Sequence, residues 1–353
     1  MVEARFYRRV ANNKVLCHLC PRYCEIGDGQ TGFCFVRKNE GGALYALAYA
    51  NPYAVHIDPI EKKPLAHYLP GTRILSIGTA GCNLGCKFCQ NWDISKARYD
   101  HERAYQFTPE HAVAEALQHG CASLAFTYND PIIWAEYAID LAKLAHAYGL
   151  KTVAVTAGYI TPEALPAFFD QMDAANVDLK GFTEKFYHKT CLAHLAPVLE
   201  TLKELKRRGT TWFEITNLII PTLNDAPEEI RDLCHWILDH LGPEVPLHFT
   251  AFHPDFKLRH LPPTSEKILE EARLWAMDLG LHYVYVGNVQ TEAGNNTYCP
   301  KCQTLLIRRN WHIVQEINLR EGCCPSCGHK IPVVESELSQ RRNQALPLYE
   351  VLA

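Results

Sequence analysis

The sequence lacks the features of a membrane or secreted protein. Its 353 residues contain no apolar run that approaches the ~18 residues of a membrane-spanning helix, and no charged segment followed by a short apolar stretch opens the chain. Low-complexity tracts and glycine fingerprints for flavin or nicotinamide cofactors are also absent. We therefore expect a cytoplasmic protein that makes no membrane contact.

Strong charge of either sign is missing as well. The formal net charge of −4 gives no field that would draw the whole protein onto nucleic acid, although a local patch could still act. Nucleic acid is therefore not expected as a partner. Because 48% of the residues are hydrophobic, the chain can bury a large core, and we expect one main domain with appendages.

Cysteine, by contrast, is abundant. Eleven of the 15 cysteines lie in three spaced groups. Since cytosolic thiols stay reduced and rarely pair, these groups predict metal sites, not disulfides.

The middle group is Cys82, Cys86 and Cys89, with the spacing C-x3-C-x2-C. Three thiolates can hold a cubane iron–sulfur cluster and leave its fourth iron free for a ligand, whereas an electron carrier normally has a fourth cysteine. Ordinary thiols or half of a zinc site are the alternatives. The preceding stretch 74–82 reads as a buried strand running into a glycine-bounded loop, which favours an active site.

From Arg73 onward, short β-rich segments alternate with helices. Thr108-Pro109, Asp130-Pro131 and Thr161-Pro162 each place an N-cap residue before a proline at a helix start. Alternation over more than 200 residues predicts an α/β fold with a parallel sheet. The predicted strands cover 73–78, 122–128, 151–156, 175–180, 211–219, 245–251 and 282–286, and helices are predicted over 195–208 and 265–279.

The cysteine spacing, with Phe88 before the third cysteine and Gln90-Asn91 after it, resembles the signature of the radical S-adenosylmethionine (SAM) enzymes. This resemblance implies a partial (β/α)6 barrel and a [4Fe-4S] cluster on Cys82, Cys86 and Cys89. It also implies that the free iron binds SAM, which one electron cleaves to methionine and a 5′-deoxyadenosyl radical. We then expect domains at 1–70 (cysteine-rich module), 71–292 (barrel), 293–334 (zinc ribbon) and 335–353 (C-terminal extension).

Strand ends carry the other candidate site residues, because barrel enzymes bind ligands there. Asp178-Leu-Lys180 is similar to the Asp-x-Lys of pyruvate formate-lyase activating enzymes, and a strand-end surface pair is its alternative. The resemblance implies that Asp130 contacts the SAM amino group, and a helix cap alone is the alternative. The aspartate side chain is shorter than the glutamate expected at this position. The resemblance further implies SAM-binding roles for Asn91, Thr156, Glu214, Thr216 and His253.

Two of these assignments have specific uncertainties. Thr156 is followed by alanine where many relatives carry asparagine, so one polar contact is lost. Glu214 and Thr216 share one face of their strand by period-two alternation, which would let both reach the ribose or the substrate, and a solvated strand face is the alternative.

The C-terminal group, Cys299, Cys302, Cys324 and Cys327, forms two C-P-x-C knuckles. Four thiolates satisfy tetrahedral Zn²⁺ and close the site, so a structural zinc ribbon is predicted. A rubredoxin-like iron fits the same spacing. The proline after the first cysteine of each knuckle selects Cys324, and not Cys323, as the ligand.

The N-terminal group is Cys17, Cys20, Cys24 and Cys34. These four thiolates within 18 residues are expected to share one metal; zinc is the first choice and a second cluster the alternative. Cys121, Cys191 and Cys234 are isolated and are expected to be small buried hydrophobes, with a weaker claim for Cys191 near the site.

Most of the chain resembles one subgroup, the radical SAM proteins of the AmmeMemoRadiSam system. The additional segments that carry this similarity are 56–64, Gly78-Thr-x-Gly-Cys82 and Ile220-Pro221-x-x-Asn224-Asp225. The resemblance implies an oxidoreductase like a glycyl-radical activating enzyme, which takes hydrogen from a protein substrate. The alternatives are a small metabolite, RNA bound through Arg308, Arg309 and Arg320, or a non-catalytic scaffold or electron carrier. An external flavodoxin or ferredoxin is the expected electron donor, since the cluster needs a low-potential electron.

Overall fold

The computed structural model describes residues 2–100, 106–335 and 350–351. The strands are β1 (Val2–Glu3), β2 (Tyr7–Arg9), β3 (Val15–Cys17), β4 (Glu25–Ile26), β5 (Arg37–Glu40), β6 (Ala43–Ala46), β7 (Ala54–Pro59), β8 (Arg73–Gly78), β9 (Ser123–Phe126), β10 (Lys151–Thr156), β11 (Ala174–Asp178), β12 (Trp212–Ile219), β13 (Leu247–Ala251), β14 (Val284–Gly287), β15 (Thr297–Tyr298), β16 (Leu305–Asn310), β17 (Ile313–Ile317) and β18 (Glu350–Val351). The helices are α1 (Trp92–Ser95), α2 (Pro109–Gln118), α3 (Ala135–Ala147), α4 (Leu165–Phe169), α5 (Glu184–Phe186), α6 (Ala196–Arg208), α7 (Pro227–His240), α8 (Glu266–Asp278) and α9 (Glu292–Asn295).

The main sheet has nine strands in the order β14-β13-β12-β11-β10-β9-β8-β7-β18. Strands β8 to β14 are parallel and neighbour one another in chain order, whereas β7 runs antiparallel to β8. This confirms the α/β fold with a parallel sheet. Within the described residues the parallel strands number seven, as the sequence predicts, and the last of them, β14, lies beside β13.

Two of the three predicted capping residues, Thr108 and Asp130, begin a helical segment, whereas α4 starts at Leu165, later than Thr161-Pro162 predicts. The Thr108 side chain accepts a hydrogen bond from His111 N at the start of α2, and Ser265 does the same for Ile268 N at α8. Asp130 caps a 3₁₀ turn, Pro131–Trp134, through Ile132 N. Gly120 and Gly149 follow α2 and α3 with φ of 64° and 76°, the left-handed conformation in which helices often end.

Alternating side chains give the main sheet two buried faces. On one face, residues such as Leu75 and Ile77 pack with the helices in the large core. On the other face, Ile74 packs with residues of the segment 60–69, including Ile60, Leu65 and Leu69. The inner side of the partial barrel is therefore filled by chain that precedes the barrel in sequence.

Glu214 on β12 anchors this inner segment. Its carboxylate is fully buried and accepts hydrogen bonds from the backbone N–H groups of Ala66 and His67, both at 2.8 Å, and from His248 Nε2 at 2.7 Å. Burial alone would raise the pKa of Glu214, but these partners lower it below its ordinary value.

The ribbon end of the chain meets the same segment. His67 Nδ1 lies 2.8 Å from Pro332 O, Val334 N donates to His67 O, and Arg309 Nη2 donates to Ala66 O at 2.6 Å. The backbone of residues 66 and 67 therefore contacts both the barrel strand that carries Glu214 and the ribbon near the C-terminus.

The flanking regions form three small antiparallel sheets. Two lie in the first 50 residues, in the orders β1-β6-β5 and β2-β3-β4, and β15-β16-β17 lies near the C-terminus. Strand β7 joins the main sheet although it precedes residue 71. The domain boundaries after residues 70, 292 and 334 stay predictions.

The predicted C-terminal extension, 335–353, falls outside the described residues apart from Glu335 and β18, which pairs with β7. In the described part of the chain, no helix is long and apolar enough to cross a membrane.

We expect Glu214→Gln to lower the free energy of unfolding by about 3 kcal/mol, the usual cost of breaking a buried charged network. The amide keeps one acceptor oxygen, but its NH2 group would face one of the two backbone N–H groups, which then has no acceptor. Glu200→Gln, at an exposed α6 position, is the matched control and should cost less than about 0.5 kcal/mol. Denaturant unfolding checks this, and equal midpoints for the two variants would contradict the anchoring role.

Candidate active site

The three cysteines Cys82, Cys86 and Cys89 lie in the loop between β8 and α1, and all three line one cavity. Within this loop, Gly81 has a φ of +83°. A Cβ atom at this position would lie 2.1 Å from Cys34 O. Only glycine fits this position, because both the backbone conformation and the contact exclude a side chain. The N-terminal region therefore packs directly against the loop.

Asn129, which follows β9, holds the start of this loop. Its Nδ2 donates to Gly81 O at 2.8 Å and to Ala80 O at 3.3 Å, while its Oδ1 accepts from Thr79 N at 3.1 Å. No motif in the sequence marks Asn129 as a site residue. A buried amide that satisfies neighbouring backbone groups fixes a loop conformation without any local sequence signal.

The segment after α5 supports the other half of the loop. Gly85 N donates to Cys191 O at 2.8 Å, and Lys87 N donates to Thr190 O at 2.9 Å. The buried Cys191 thiol also donates a hydrogen bond to Cys86, which lowers the pKa of Cys86 despite its burial. Cys191 is therefore buried, as the sequence predicts for an isolated cysteine. It also lies against the cysteine loop, near the candidate site.

The cavity has a volume of about 450 Å³ and lies at the carboxyl ends of the parallel strands. This size is in the range of small-molecule sites, about 300–1,000 Å³. Its walls also include residues from both flanking regions, namely Glu61 to Ala66 and Arg309, Trp311 and His312.

Asp130 caps its turn, as one interpretation expected, and it also lines the cavity. Its contact with the SAM amino group stays a prediction. Its carboxylate accepts from Thr156 Oγ1 at 2.8 Å and from Ala157 N at 3.1 Å. Burial raises the pKa of Asp130 to about 6, against the effect of these hydrogen bonds. Thr156 also lines the cavity.

Asp178 and Lys180 form an ion pair at 2.9 Å, and both line the cavity. Burial alone would lower the pKa of Lys180, but Asp178 and Cys86 raise it well above its usual value. A lysine that stays charged beside the cysteine loop is suited to hold a carboxylate ligand. Asn91 lines the cavity too and donates to Tyr128 O at 2.9 Å.

Glu214 and Thr216 have different environments. Thr216 lines the cavity, and its buried hydroxyl has no hydrogen-bond partner among the described residues. Glu214 does not line the cavity, because its carboxylate is occupied by the backbone of residues 66 and 67. The expectation that both reach a ligand is therefore corrected for Glu214, which is neither a solvated face nor a free acceptor.

His253 also lies elsewhere than expected. It is exposed and does not line the cavity, and it lies two residues beyond the end of β13 at Ala251. Two other histidines line the cavity, His248 within β13 and His312 near the C-terminal sheet. Asp178, Thr216, His248 and Tyr285 are successive partners in the register of β11 to β14, which places them in one row across the sheet. His248 pairs with Thr216 in the register of β12 and β13, so the position of Thr216 at the cavity could have indicated His248.

Comparison with known proteins agrees with this site. The family model of the radical SAM superfamily matches residues 76–237, which include the cysteine loop and four of the parallel strands that follow it. The chain therefore contains a domain of the radical SAM superfamily. This radical SAM chain is 45% identical over 336 residues to an uncharacterized protein of Methanocaldococcus jannaschii, covering 95% of the chain and 100% of that protein.

The activating enzymes are more distant relatives. The radical SAM chain is 24% identical over 212 residues to the pyruvate formate-lyase-activating enzyme of Clostridium pasteurianum, covering 54% of this chain and 84% of that enzyme. A crystal structure of Streptococcus suis SuiB bound to the precursor peptide SuiA has a TM-score of 0.49 at 11% identity, covering 65% of this chain and 51% of SuiB. That similarity is too low to carry an argument about function.

Membership of the radical SAM superfamily implies a [4Fe-4S] cluster and SAM, and the residues present fit both groups. Three thiols meet at one end of a cavity of suitable size, with a lysine–aspartate pair, a buried carboxylate and the unpartnered Thr216 hydroxyl around it. The polar groups suit a ligand with an amino acid end and a ribose.

The C-terminal cysteines form a closed four-thiol site. Their sulfur atoms all lie within 4.8 Å of one another, with Cys299 and Cys327 at 3.6 Å and Cys302 and Cys324 at 3.5 Å. A tetrahedral Zn²⁺ with Zn–S bonds of about 2.3 Å requires sulfur separations of about 3.8 Å. The geometry fits one metal ion, zinc or iron. Cys323 is excluded from this group, and its Sγ lies 3.7 Å from Glu321 O.

We expect Cys324→Ala to lose about one metal ion per chain, because three thiolates leave a structural site open. The adjacent Cys323→Ala is the matched control and should keep the full metal content. Elemental analysis of the purified variants measures both. Loss of metal from the control, or retention in Cys324→Ala, would show that the ligand assignment is reversed.

Proposed function

We propose that this protein is a radical SAM oxidoreductase that abstracts a hydrogen atom from a substrate held in the cavity beside Cys82, Cys86 and Cys89. When bound, the cluster and SAM supply a 5′-deoxyadenosyl radical, formed by one-electron reductive cleavage of SAM. The observation that carries the proposal is the meeting of all three loop cysteines with Asp130, Thr156, Asp178, Lys180 and Thr216 around one cavity.

The chain's own residues have distinct roles in this proposal. Cys82, Cys86 and Cys89 hold the cluster. Lys180, kept charged by Asp178, binds the SAM carboxylate, and Asp130 accepts from the SAM amino group. The other predicted contacts, Asn91, Thr156 and Thr216, line the same cavity and are proposed to orient SAM.

The identity of the hydrogen donor has two main candidates. By resemblance to the activating enzymes, it is a glycine in a partner protein, and the AmmeMemoRadiSam subgroup supplies the alternative of a small metabolite or a substrate presented by a system partner. The cavity walls support a small substrate, because Glu61 to Ala66 and Arg309, Trp311 and His312 line the same cavity as the cysteines. A protein loop would have to share the cavity with these residues.

RNA modification receives no such support. Of the three arginines that suggested it, Arg309 is only 8% exposed and donates to Ala66 O inside the protein. Arg308 lies 3.4 Å from Glu316, which reduces its positive charge towards a phosphate. A non-catalytic scaffold is also disfavoured, because it needs no cavity beside an incomplete cysteine set. We further propose a cytoplasmic location, structural zinc in the ribbon, and flavodoxin or ferredoxin as the electron donor.

Reductive SAM cleavage tests the proposed chemistry. Anaerobic protein with a reconstituted cluster, dithionite and SAM should yield 5′-deoxyadenosine, and Cys86→Ala should yield none above background. Cys234→Ala, at a buried position in α7 outside the cavity, is the matched control and should retain activity. Protein with a full cluster that produces no 5′-deoxyadenosine would leave only the scaffold interpretation.

Deuterium transfer distinguishes the hydrogen donors. Cells are grown in heavy water, and their extract is separated into protein, RNA and small-molecule fractions. Each fraction is then added to the SAM cleavage reaction. We expect deuterium in 5′-deoxyadenosine from the small-molecule fraction. Transfer from the protein fraction alone would instead support the activating-enzyme role.

Thr216 provides a test of the SAM-binding surface. Thr216→Val removes a buried hydroxyl that lacks a partner, so SAM affinity should fall about fivefold to tenfold, as expected for one hydrogen bond of about 1 kcal/mol. His253→Ala, at an exposed position after the same sheet edge, should stay within about twofold of wild type. Equilibrium binding to cluster-loaded protein measures both, and the opposite ranking would return His253 to the site.

A further inference from the structure

The N-terminal cysteines Cys17, Cys20, Cys24 and Cys34 line one small cavity, although no two of them share a secondary-structure element. Cys17 and Cys34 are buried, and Cys20 and Cys24 are partly buried. Their four thiols therefore converge on one point of the fold, as a shared metal centre requires.

The spacing of these sulfurs differs from that of the ribbon. Among the described residues, the ribbon is the one group whose candidate ligand atoms lie within 4.8 Å of each other. The N-terminal sulfurs are thus more widely separated than four thiolates around a single Zn²⁺, for which about 3.8 Å is needed. The Cys82, Cys86 and Cys89 sulfurs, which the family assigns to a cluster, share this wider spacing. A polynuclear cluster separates its thiolates because each binds a different iron.

Arg37 supplies an independent indication of the ligand. It is 2% exposed and lines the cavity, and its Nε has no hydrogen-bond partner among the described residues. Its two other nitrogens are held by Glu136 at 2.8 and 3.0 Å. A buried donor left over in this way calls for an acceptor, and the sulfides and thiolates of an iron–sulfur cluster are acceptors.

We propose that Cys17, Cys20, Cys24 and Cys34 bind a second iron–sulfur cluster, seated against the loop that holds the radical SAM cysteines. The proposal extends the proposed function by a second redox-active group. Its position follows from direct contacts: Cys34 O packs on Gly81, the Arg22 guanidinium donates to Asn83 O, and Asn83 also lines the N-terminal cavity. Gly81 and Asn83 flank the ligand Cys82.

Two sets of substitutions in the full chain test the metal identity. After anaerobic purification and reconstitution with iron and sulfide, the variant Cys82→Ala, Cys86→Ala, Cys89→Ala should retain about two to four iron ions per chain with a matching amount of acid-labile sulfide. The variant Cys17→Ala, Cys20→Ala, Cys24→Ala, Cys34→Ala should lose that share and keep the other cluster. The double substitution Cys121→Ala, Cys234→Ala is the matched control and should lose neither.

The wild-type protein gives a measurement that does not depend on variant folding. Its zinc content should be about one ion per chain or less, because only the ribbon binds zinc. Two zinc ions per chain would overturn the proposal, and so would a triple variant whose iron lacks acid-labile sulfide. None of these readouts uses SAM cleavage, so they can fail or succeed independently of the proposed function.

Electron paramagnetic resonance tests the position. In the fully reduced wild-type protein, spins in two adjacent clusters should interact and broaden each other's signals, whereas each set of substitutions should give one unsplit signal. A wild-type spectrum equal to the sum of the two variant spectra would contradict the placement beside Gly81 and Asn83.

Discussion

The buried carboxylate of Glu214 is the interaction on which the arrangement of this protein depends. It binds the backbone of residues 66 and 67, to which the ribbon is attached through Arg309 and Pro332. A charged group without these partners would be costly inside the barrel, so the flanking segment has to be present for the barrel to be stable. In turn, the segment brings Glu61 to Ala66 and the ribbon residues to the cavity wall. The hydrogen bonds of Glu214 to residues 66 and 67 therefore stabilise the barrel and also determine the shape of the cavity.

Local sequence predicted those features that local physics determines. The strands 73–78 and 151–156 were predicted to the residue, because the buried runs are bounded by capping and turn residues. The three loop cysteines were recognised from their spacing and from the family resemblance that it carries. The same resemblance pointed to Asp130, Thr156, Asp178, Lys180 and Thr216, and the ends of the parallel strands bring these residues to one cavity. The parallel sheet and a C-terminal cysteine group that could bind a metal were also confirmed.

The failures concern partners that are distant in the chain. Alternation placed Glu214 on the correct strand face, but the groups that occupy it lie 147 and 148 residues away in sequence. His253 was chosen because it follows a strand, whereas the facing of His248 depends on the register of β13 against β12. Asn129 acts on backbone atoms about 50 residues earlier, and such contacts leave no pattern in the sequence around it.

The close approach of Gly81 to Cys34 O has a consequence for how such proteins diverge. The segments around Cys34 and Gly81, almost fifty positions apart, pack so closely that no methyl group fits between them. A change in the path of the first segment would collide with the second unless both altered together. Lineages that abandon the four early cysteines should thus also relax the requirement for glycine at position 81, and the two losses should be inherited as a pair.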